Sequence, residues 1–253
     1  MTIDMPKISH AMALRTLFAD SFGEEDAFIE RFFSVSYSPS RARAVIDGEQ
    51  VKAALYWFDC ELHGKRVAYI FALSTAGSER GKGLATQLMK DTHEHLKSIG
   101  YSGAILVPAE DSLYGFYERL GYRDTAHIAE FSVTASDKTA EIKEVSSEEY
   151  LALREKFLPI GGVKESIELI NLLAADAKLY TGEDFLLAAR KCGDTLLGIE
   201  LLGNTEKAPN ILAALECSSG KFRTVGEDRK FAMLLPFEKK LSAPTYFGIA
   251  LDV

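Results

Sequence analysis

Cysteine is scarce in this chain of 253 residues, which contains only Cys60, Cys192 and Cys217. Three widely spaced thiols match neither a zinc-ligand pattern nor the paired framework of a disulfide-rich domain. Long apolar runs are absent too, since no segment approaches the ~20 residues of a membrane helix. These absences predict a cytoplasmic protein without disulfides, structural zinc or membrane spans.

An excess of positive charge is also missing, since 29 Lys and Arg stand against 37 Asp and Glu. Residues 1–138 hold 15 basic against 19 acidic residues, and the remainder holds 14 against 18. Neither half therefore has the basic character of a nucleic-acid-binding domain. The start, MTIDMPK, has neither the basic nor the apolar region of a signal peptide. We expect no nucleic acid and no membrane as a partner.

The most informative segment that is present is a glycine-rich turn, ERGKGLA at residues 79–85. It lies between an apolar run at 67–73 and an amphipathic segment that ends near Ile99, an order typical of strand, turn and helix. The first turn of a helix leaves backbone N–H groups unpaired, and with the helix dipole they attract anions. The segment therefore predicts an anion site at a helix start.

The residues of this turn narrow the choice of anion. Gly81 and Gly83 let a bulky phosphate approach the main chain, and Arg80 and Lys82 add positive charge. The turn lacks the Ser or Thr of a nucleotide P-loop and the three-glycine spacing of a dinucleotide fingerprint. It therefore predicts a phosphorylated cofactor of another kind.

A second motif, SLYGFYERLGY at residues 112–122, follows a strand-like run, AILV at 104–107. Ser112 suits a helix N-cap, and Gly121 suits the residue that follows a helix. Apolar side chains recur at i, i+3, i+4 and i+7 on one face, namely Leu113, Phe116, Tyr117 and Leu120. The motif predicts a short helix with one buried face.

The order and spacing of the two motifs resemble those of the GNAT superfamily, the acyl-CoA N-acyltransferases. Arg-x-x-Gly-x-Ala at 80–85 is similar to the pyrophosphate loop of that family, and Phe-Tyr-Glu-Arg-Leu-Gly-Tyr at 116–122 to the signature that closes its cofactor site. The resemblance is strong over residues 40–133 and extends to about residue 8. It implies an α/β fold with a mixed sheet, acetyl-CoA as co-substrate and no metal.

The resemblance also implies which residues contact acetyl-CoA. The loop would hold the pyrophosphate, and backbone groups of the preceding strand would pair with the pantetheine arm and polarise the thioester. The strands at 66–76 and 102–107 would splay apart to admit that arm. The implied cofactor-binding residues are Leu73, Ser74, Thr75, Arg80, Gly81, Lys82, Gly83, Leu84, Ala85, Thr86, Ser112 and Tyr114.

Tyr117 is the implied general acid, which would protonate the departing CoA thiolate. A phenol with a pKa near 10 is protonated at neutral pH, and a thiol has a pKa of about 8.5. Proton transfer is then uphill in isolation, but it prevents the thiolate from attacking backwards. The alternative is that Tyr117 only packs in the core. Tyr114, one turn earlier, is the substitute acid, although packing beside the cofactor suits it better.

The general base is where the chain departs from the family pattern. Many members carry a glutamate on the strand before the loop, whereas YIFAL at 69–73 holds no carboxylate, and Glu110 stands where an asparagine is frequent. Some tandem acetyltransferases that act on aminoglycosides use the C-terminal carboxylate instead. The candidates are Asp59, Glu61, His63, Glu110, Asp111, the carboxylate of Val253 and ordered water, although each side chain more often belongs to the solvated surface.

The remaining periodicity of the first half predicts a β-β-β-α-β-α-β order preceded by two helices. The expected ranges are helices 8–19 and 24–34, strands 41–46, 51–63 and 66–76, helix 81–99, strand 102–107, helix 112–120 and strand 122–133. Two groups of aromatic residues either flank the acceptor cleft or fill the core, namely Phe28, Phe32 and Phe33, and Tyr56, Trp57 and Phe58. Leu84, Leu88, Met89, Leu96 and Ile99 are expected on the buried face of the long helix. His93 and His95 point to different faces and make poor metal ligands.

A polar stretch at 134–139 indicates a linker between a domain at 1–135 and a second, smaller α+β domain at 140–253. Helices are expected near 146–157 and 164–175, and strands near 184–190, 195–202, 210–216, 229–235 and 245–251. Neither motif recurs there, so this half is interpreted as a degenerate GNAT-like copy without its own cofactor, or as an unrelated α+β cap.

The sequence thus predicts an N-acetyltransferase that transfers an acetyl group from acetyl-CoA to a primary amine. The acceptor is a small molecule or a peptide amine, with a homodimer possible. The alternative is a non-catalytic acyl-CoA sensor or scaffold, and transfer to a hydroxyl is a third hypothesis.

Overall fold

The computed structural model describes residues 1–249, which form two compact units. Unit 1 contains residues 1–123 and 233–242, and unit 2 contains residues 124–232 and 243–249. The division therefore differs from the expected linker at 134–139. The strand before that linker pairs within unit 2, and a later segment returns to unit 1.

Unit 1 has the helix and strand order expected from the sequence, with shifted ends, except that a short strand comes first and the last predicted strand, at 122–133, belongs to unit 2. Its elements are β1 (Thr2–Asp4), α1 (Ala11–Phe22), α2 (Asp26–Arg31), β2 (Ala42–Asp47), β3 (Gln50–Leu62), β4 (Lys65–Thr75), α3 (Leu84–Ser98), β5 (Gly103–Leu106) and α4 (Tyr114–Arg119). A 3-10 turn, Ile8–His10, precedes α1, and a π-type turn, Phe32–Ser36, continues α2. The predicted helix at 81–99 begins later, because Gly81 and Gly83 adopt left-handed backbone angles.

The sheet of unit 1 is mixed. Strands β1 to β4 pair antiparallel in sequence order, and β4 pairs with β5 in parallel. Helices α3 and α4 pack on one face through apolar residues at helical spacing, including Leu88, Met89 and Leu96. Ile99 is an exception to the expected buried face: it follows the last turn of α3 and is 42% exposed.

Unit 2 follows with a 3-10 turn, Thr205–Lys207, and eleven α-helices and β-strands. They are β6 (Arg123–Thr134), β7 (Lys143–Glu144), α5 (Ser147–Phe157), β8 (Lys164–Glu165), α6 (Ile167–Leu173), β9 (Lys178–Thr181), β10 (Phe185–Cys192), β11 (Thr195–Gly203), α7 (Ala208–Ala214), β12 (Ser219–Val225) and β13 (Arg229–Pro236). The second half of β13, Met233–Pro236, lies in unit 1 and pairs with β5. No helix among residues 1–249 is long and apolar enough to cross a bilayer.

Two strand predictions in unit 2 are wrong. The segment 210–216 lies mostly in α7, because Pro209 in the first turn and the alanines favour a helix where a short apolar run alone is ambiguous. The segment near 245–251 contributes only an isolated bridge between Tyr246 and Gly162 among its described residues. Residues 250 and 251 lie outside the described part of the chain.

A buried ionic cluster joins α5 to β11 and β8 inside unit 2. Arg154 Nε and Nη2 donate to the two carboxylate oxygens of Glu200 at 2.8 and 2.9 Å, and Nη2 donates to Glu165 at 3.1 Å. Tyr150 Oη donates to Glu200 at 2.9 Å. Two carboxylates thus share one guanidinium, so the cluster is one positive charge short when both are ionised.

The charge imbalance predicts a pH dependence for the stability of unit 2. Burial raises the pKa of Glu165 to about 8. Attraction to Arg154 opposes this increase, and repulsion from Glu200 adds to it. Above the unfolded pKa of about 4.3 the unfolded chain loses this proton while the folded chain keeps it. Stability should therefore fall as the pH rises from about 5 to 8, and Glu165→Gln should remove this part of the dependence. Urea midpoints at several pH values measure it.

The matched control for this prediction is Glu155→Gln, which removes an exposed carboxylate beside the cluster, paired with Lys164 at 3.2 Å. Its pH profile should follow that of the wild type. If the Glu165→Gln profile stayed parallel to the wild type between pH 5 and 8, Glu165 would not carry the extra proton.

Candidate active site

The glycine-rich turn connects β4 to α3 and exposes main-chain donors. Gly81 and Gly83 have φ angles of +78° and +79°, and a Cβ added at either would meet no atom within 4 Å. The first i to i−4 hydrogen bond at the start of α3 is from Gln87 N–H to Gly83 O, at 3.1 Å. The N–H groups of the preceding residues, Leu84, Ala85 and Thr86, therefore have no acceptor within the helix and face outward from its N-terminus. The turn thus leaves three main-chain donors and open space available to a ligand.

Charged side chains surround this turn. Arg80 Nε donates to Thr75 O at 3.3 Å, which ties the arginine to the end of β4. Lys82 Nζ donates to Glu79 Oε2 at 3.0 Å, and Lys52 Nζ lies 3.7 Å from Glu79 Oε1. Three cations and one carboxylate thus lie at one helix start.

A β-bulge interrupts β4 just before the turn. Ala54 of β3 pairs with Ser74 and Tyr56 pairs with Phe71, so Ala72 and Leu73 together oppose one residue of β3. Ala72 has a φ of +50°, a left-handed angle that non-glycine residues rarely adopt. Backbone groups at such a bulge leave the ladder and become available to a ligand. Nothing in the sequence signalled the bulge, because an alanine in a strand-like run carries no turn signal.

The pairing of β4 with β5 ends close to the bulge. Their parallel ladder contains three pairs, the last between Tyr69 and Ile105. Beyond these residues β4 continues to Thr75, whereas β5 ends at Leu106. On its other side β5 stays paired with β13 as far as Leu106. The pairing of β4 with β5 therefore stops where the expected wedge would begin.

Helix α4 follows β5 and carries the other predicted residues. Ser112 is exposed in a 3-10 turn, where its Oγ donates to Glu110 Oε1 at 2.5 Å. Tyr114 is half-buried, whereas Tyr117 is only 9% exposed. The Tyr117 ring packs among other aromatic rings, with its centroid 5.0 Å from that of Phe116 and 5.9 Å from that of Tyr122. Burial raises the pKa of Tyr117 to about 12, so its hydroxyl is protonated at neutral pH.

Asp59 is occupied by structural hydrogen bonds. Tyr101 Oη donates to Asp59 Oδ1 at 2.5 Å, Arg66 Nε donates to the same oxygen at 2.7 Å, and Arg41 lies 3.4 Å from Oδ2. Burial would raise the pKa of Asp59, but the bonds from Arg66 and Tyr101 outweigh it and lower that pKa below its usual value. Asp59 is therefore a weak proton acceptor.

The other candidate bases are spread over the molecule. Asp59 pairs in register with Ala68, seven residues and about 23 Å of strand before Thr75. Glu61 and His63 lie still farther from the loop, at the turn between β3 and β4. Glu110 and Asp111 are exposed after β5, nearer the wedge. The C-terminal carboxylate of Val253 lies outside the described residues.

The aromatic residues near the expected acceptor cleft are mostly core. Phe32 stacks on Phe18 and packs edge-on to Tyr56, with centroids 5.4 and 5.0 Å apart, and all three are buried. Phe58 is also buried in unit 1, whereas Phe28 and Phe33 are half-buried at the margin of the cluster. Trp57 faces α3 and donates from Nε1 to Tyr101 Oη at 2.9 Å. The core interpretation thus holds for Tyr56, Trp57 and Phe58.

The two histidines of α3 have structural surroundings. His93 Nε2 lies 2.9 Å from Tyr122 Oη, and burial lowers the pKa of His93 to about 4. The His95 ring packs edge-on to Trp57 with centroids 6.0 Å apart. Within residues 1–249, no group of three His, Cys, Asp or Glu side chains is arranged to hold a metal ion.

The comparisons with known proteins agree with this geometry. A family model described as "Acetyltransferase (GNAT) domain" matches residues 4–124. No curated protein matches the chain at a significant level.

Solved structures share the fold over most of the chain. A GCN5-related N-acetyltransferase from Anabaena variabilis has a TM-score of 0.72 at 13% identity, over 92% of this chain and 72% of that one. The GCN5-related N-acetyltransferase from Kribbella flavida has a TM-score of 0.68 at 19% identity, over 92% of this chain and 70% of that one. Eis1 from Mycobacterium abscessus has a TM-score of 0.66 at 15% identity, over 93% of this chain and 74% of that one. At these identities the likeness establishes the fold, and it confirms the predicted mixed α/β architecture.

Proposed function

We propose that the protein transfers an acetyl group from acetyl-CoA to a primary amine, through the domain at residues 4–124 that matches the GNAT acetyltransferase model. One observation carries the proposal: the exposed glycine turn, the bulge at Ala72 and the end of the β4–β5 pairing lie together in the second half of β4 and the turn that follows it. A phosphate site, freed backbone donors and a slot between strands match the three parts of CoA: its pyrophosphate, thioester and pantetheine arm.

The first task of the site is to hold the co-substrate. The N–H groups at Gly81 to Thr86 would bind the pyrophosphate, assisted by Arg80 and Lys82. Backbone groups of Leu73, Ser74 and Thr75 would bind the pantetheine arm in the wedge. Ser112 and Tyr114 would border it from the start of α4 and the turn before it. The positive φ angles of the two glycines and the open space beside them support this assignment.

The second task is chemical. A backbone N–H freed at the bulge would polarise the thioester carbonyl, as preorganised donors do where negative charge develops. The amine attacks the carbonyl carbon, the bond from carbon to sulfur breaks, and Tyr117 would donate its proton to the departing thiolate. The amine must lose a proton, and ordered water is the proposed acceptor for it, because Asp59 is held in its ion pairs.

A non-catalytic acyl-CoA sensor is the second candidate function. It is favoured by the absence of a carboxylate in β4 and by the engagement of Asp59 with Arg66 and Tyr101. Such a protein would bind CoA without releasing thiol in the presence of any amine.

We propose a supporting role for unit 2, as a degenerate GNAT-like half without a cofactor of its own. Its strands β9 to β11 pair antiparallel, and β11 pairs with β12 in parallel over four residues. Strands β2 to β5 of unit 1 have the same order of pairings, with a parallel ladder of three pairs. Its turn after β11 is unsuited to phosphate, because the Asn204 side chain accepts from Glu206 N–H and Pro209 has no N–H to offer. A cytoplasmic location and a possible homodimer remain part of this proposal.

The decisive experiment measures thiol release from acetyl-CoA with pooled amines, polyamines, amino acids, aminoglycosides and peptides, beside direct CoA binding by calorimetry. Amine-dependent release identifies the enzyme and narrows the acceptor. CoA binding without release from any pool favours the sensor. Absence of CoA binding would overturn both.

Gly83→Ala is expected to weaken CoA binding by about tenfold or more, because the substitution adds a Cβ where a phosphate must approach and strains a left-handed residue by about 1–2 kcal/mol. Calorimetric titration with CoA measures the change. Gly77→Ala is the matched control, since Gly77 lies in the same turn with equally open space but without a positive φ. Equal affinities of the two variants would argue against phosphate binding at Gly83.

A further inference from the structure

A carboxylate lies inside the turn that is proposed to bind pyrophosphate. Glu79 ends the 3-10 turn Gly77–Glu79, directly before Arg80, and its side chain is only 15% exposed. Lys82 Nζ donates to Glu79 Oε2 at 3.0 Å, and Lys52 Nζ lies 3.7 Å from Oε1. The Lys82 hydrogen bond holds the pKa of Glu79 below its usual value, with a smaller contribution from Lys52, so the group is ionised at neutral pH.

The two lysines differ in their freedom to leave this carboxylate. The side chain of Lys52 is 19% exposed, and its backbone O accepts from Ala76 N–H at 2.9 Å, which joins β3 to the turn that carries Glu79. The side chain of Lys82 is 58% exposed and lies between the two glycines. An exposed ion pair contributes little to stability, so Lys82 can exchange Glu79 for another anion at small cost. Lys52 remains to compensate the Glu79 charge.

A bound pyrophosphate would compete for Lys82. It would lie at the N–H groups on both sides of this residue, within a few ångströms of the Glu79 carboxylate. Like charges at that separation repel, and the repulsion is only partly screened by water and salt. Glu79 therefore weakens binding of the proposed ligand in two ways. Its carboxylate repels the pyrophosphate, and it holds Lys82, which would otherwise pair with the pyrophosphate.

We propose that Glu79 is a positioning residue that tunes the release of CoA: it holds Lys82 away from the phosphates in the free protein and recaptures it when the product leaves. This inference rests on the proposed function, because it requires a CoA pyrophosphate at the turn. The Glu79 carboxylate thus lowers the affinity for CoA and speeds its dissociation as product.

The test compares CoA binding and dissociation in the wild type and in Glu79→Gln. The variant should bind CoA about three- to tenfold more tightly at low ionic strength, through slower dissociation, and the gain should shrink near 0.5 M salt. Where product release limits turnover, kcat should fall with KM. In a Lys82→Gln background, which itself weakens binding, Glu79→Gln should give a smaller gain in affinity, because Lys82 is then absent and cannot be released to the phosphates.

The matched control is Glu94→Gln, which removes a carboxylate from an equivalent i, i+3 pair with Lys97, 2.7 Å long, near the far end of α3. It should leave CoA affinity unchanged, and equal melting temperatures show that both variants fold. Unchanged or weaker CoA binding in Glu79→Gln would overturn the inference while leaving the proposed function intact. A wild type that does not bind CoA would instead overturn the proposed function.

Discussion

Replacement of Tyr117 by phenylalanine is expected to lower kcat by about 10²- to 10⁴-fold, the usual contribution of a general acid. The affinity for CoA should stay the same, because the proposed contacts with the pyrophosphate and pantetheine are made by the turn and by β4. The phenyl ring keeps its packing against Phe116 and Tyr122, so the free energy of unfolding should change by less than about 1 kcal/mol. Thiol release and calorimetry measure the two effects.

The pH dependence provides an independent check on the same residue. Burial raises the pKa of Tyr117 to about 12, so its hydroxyl keeps its proton throughout the working range. The rate should rise with pH as the acceptor amine, with a pKa near 10, becomes deprotonated. A decrease of kcat/KM between pH 7 and about 9 would contradict Tyr117 as the proton donor.

Tyr114→Phe is the control for this substitution, since Tyr114 lies one turn earlier on α4 and is half-buried. It should retain most of the activity. If Tyr114→Phe lost activity while Tyr117→Phe kept full activity, Tyr114 would be the proton donor. Full activity in both would leave the thiolate to be protonated by water.

Arg154→Met is expected to cost about 3–5 kcal/mol of unfolding free energy, the largest stability effect predicted for this protein. The substitution keeps the length and apolar volume of the side chain but leaves Glu200 and Glu165 buried without their cation. Both carboxylate side chains have no exposed surface, so water cannot replace the guanidinium. Denaturant unfolding followed by circular dichroism measures the loss.

Arg190→Met is the control, because it breaks an arginine–carboxylate pair with Asp176 on the exposed surface of unit 2. Its cost should stay below about 1 kcal/mol. Replacement of Arg154, Glu165 and Glu200 together by apolar residues should recover much of the loss, since no buried charge then remains. An Arg154→Met protein within about 1 kcal/mol of the wild type would show that the cluster is solvated.

The local signals of the sequence were enough to locate much of the candidate site. Gly81 and Gly83 beside charged residues indicated the turn within residues 79–85, and apolar spacing on one face indicated α4 with Tyr117 buried. Errors occurred where a short run was compatible with two structures. Residues 210–214 lie in a helix because Pro209 fits its first turn, and Ile99 is exposed because α3 ends one residue earlier.

What the sequence by itself determined is therefore the order of helices and strands from α1 to α4, the glycine-rich turn before α3 and the resemblance of residues 4–124 to the GNAT acetyltransferase domain. Only the tertiary structure decided which polar groups are available for chemistry. The bulge at Ala72 depends on the register of β4 against β3, and Tyr101 engages Asp59 across 42 residues of chain. The buried cluster at Arg154 likewise joins residues 46 positions apart. Such contacts depend on long-range register and burial, which residue patterns within one segment do not encode.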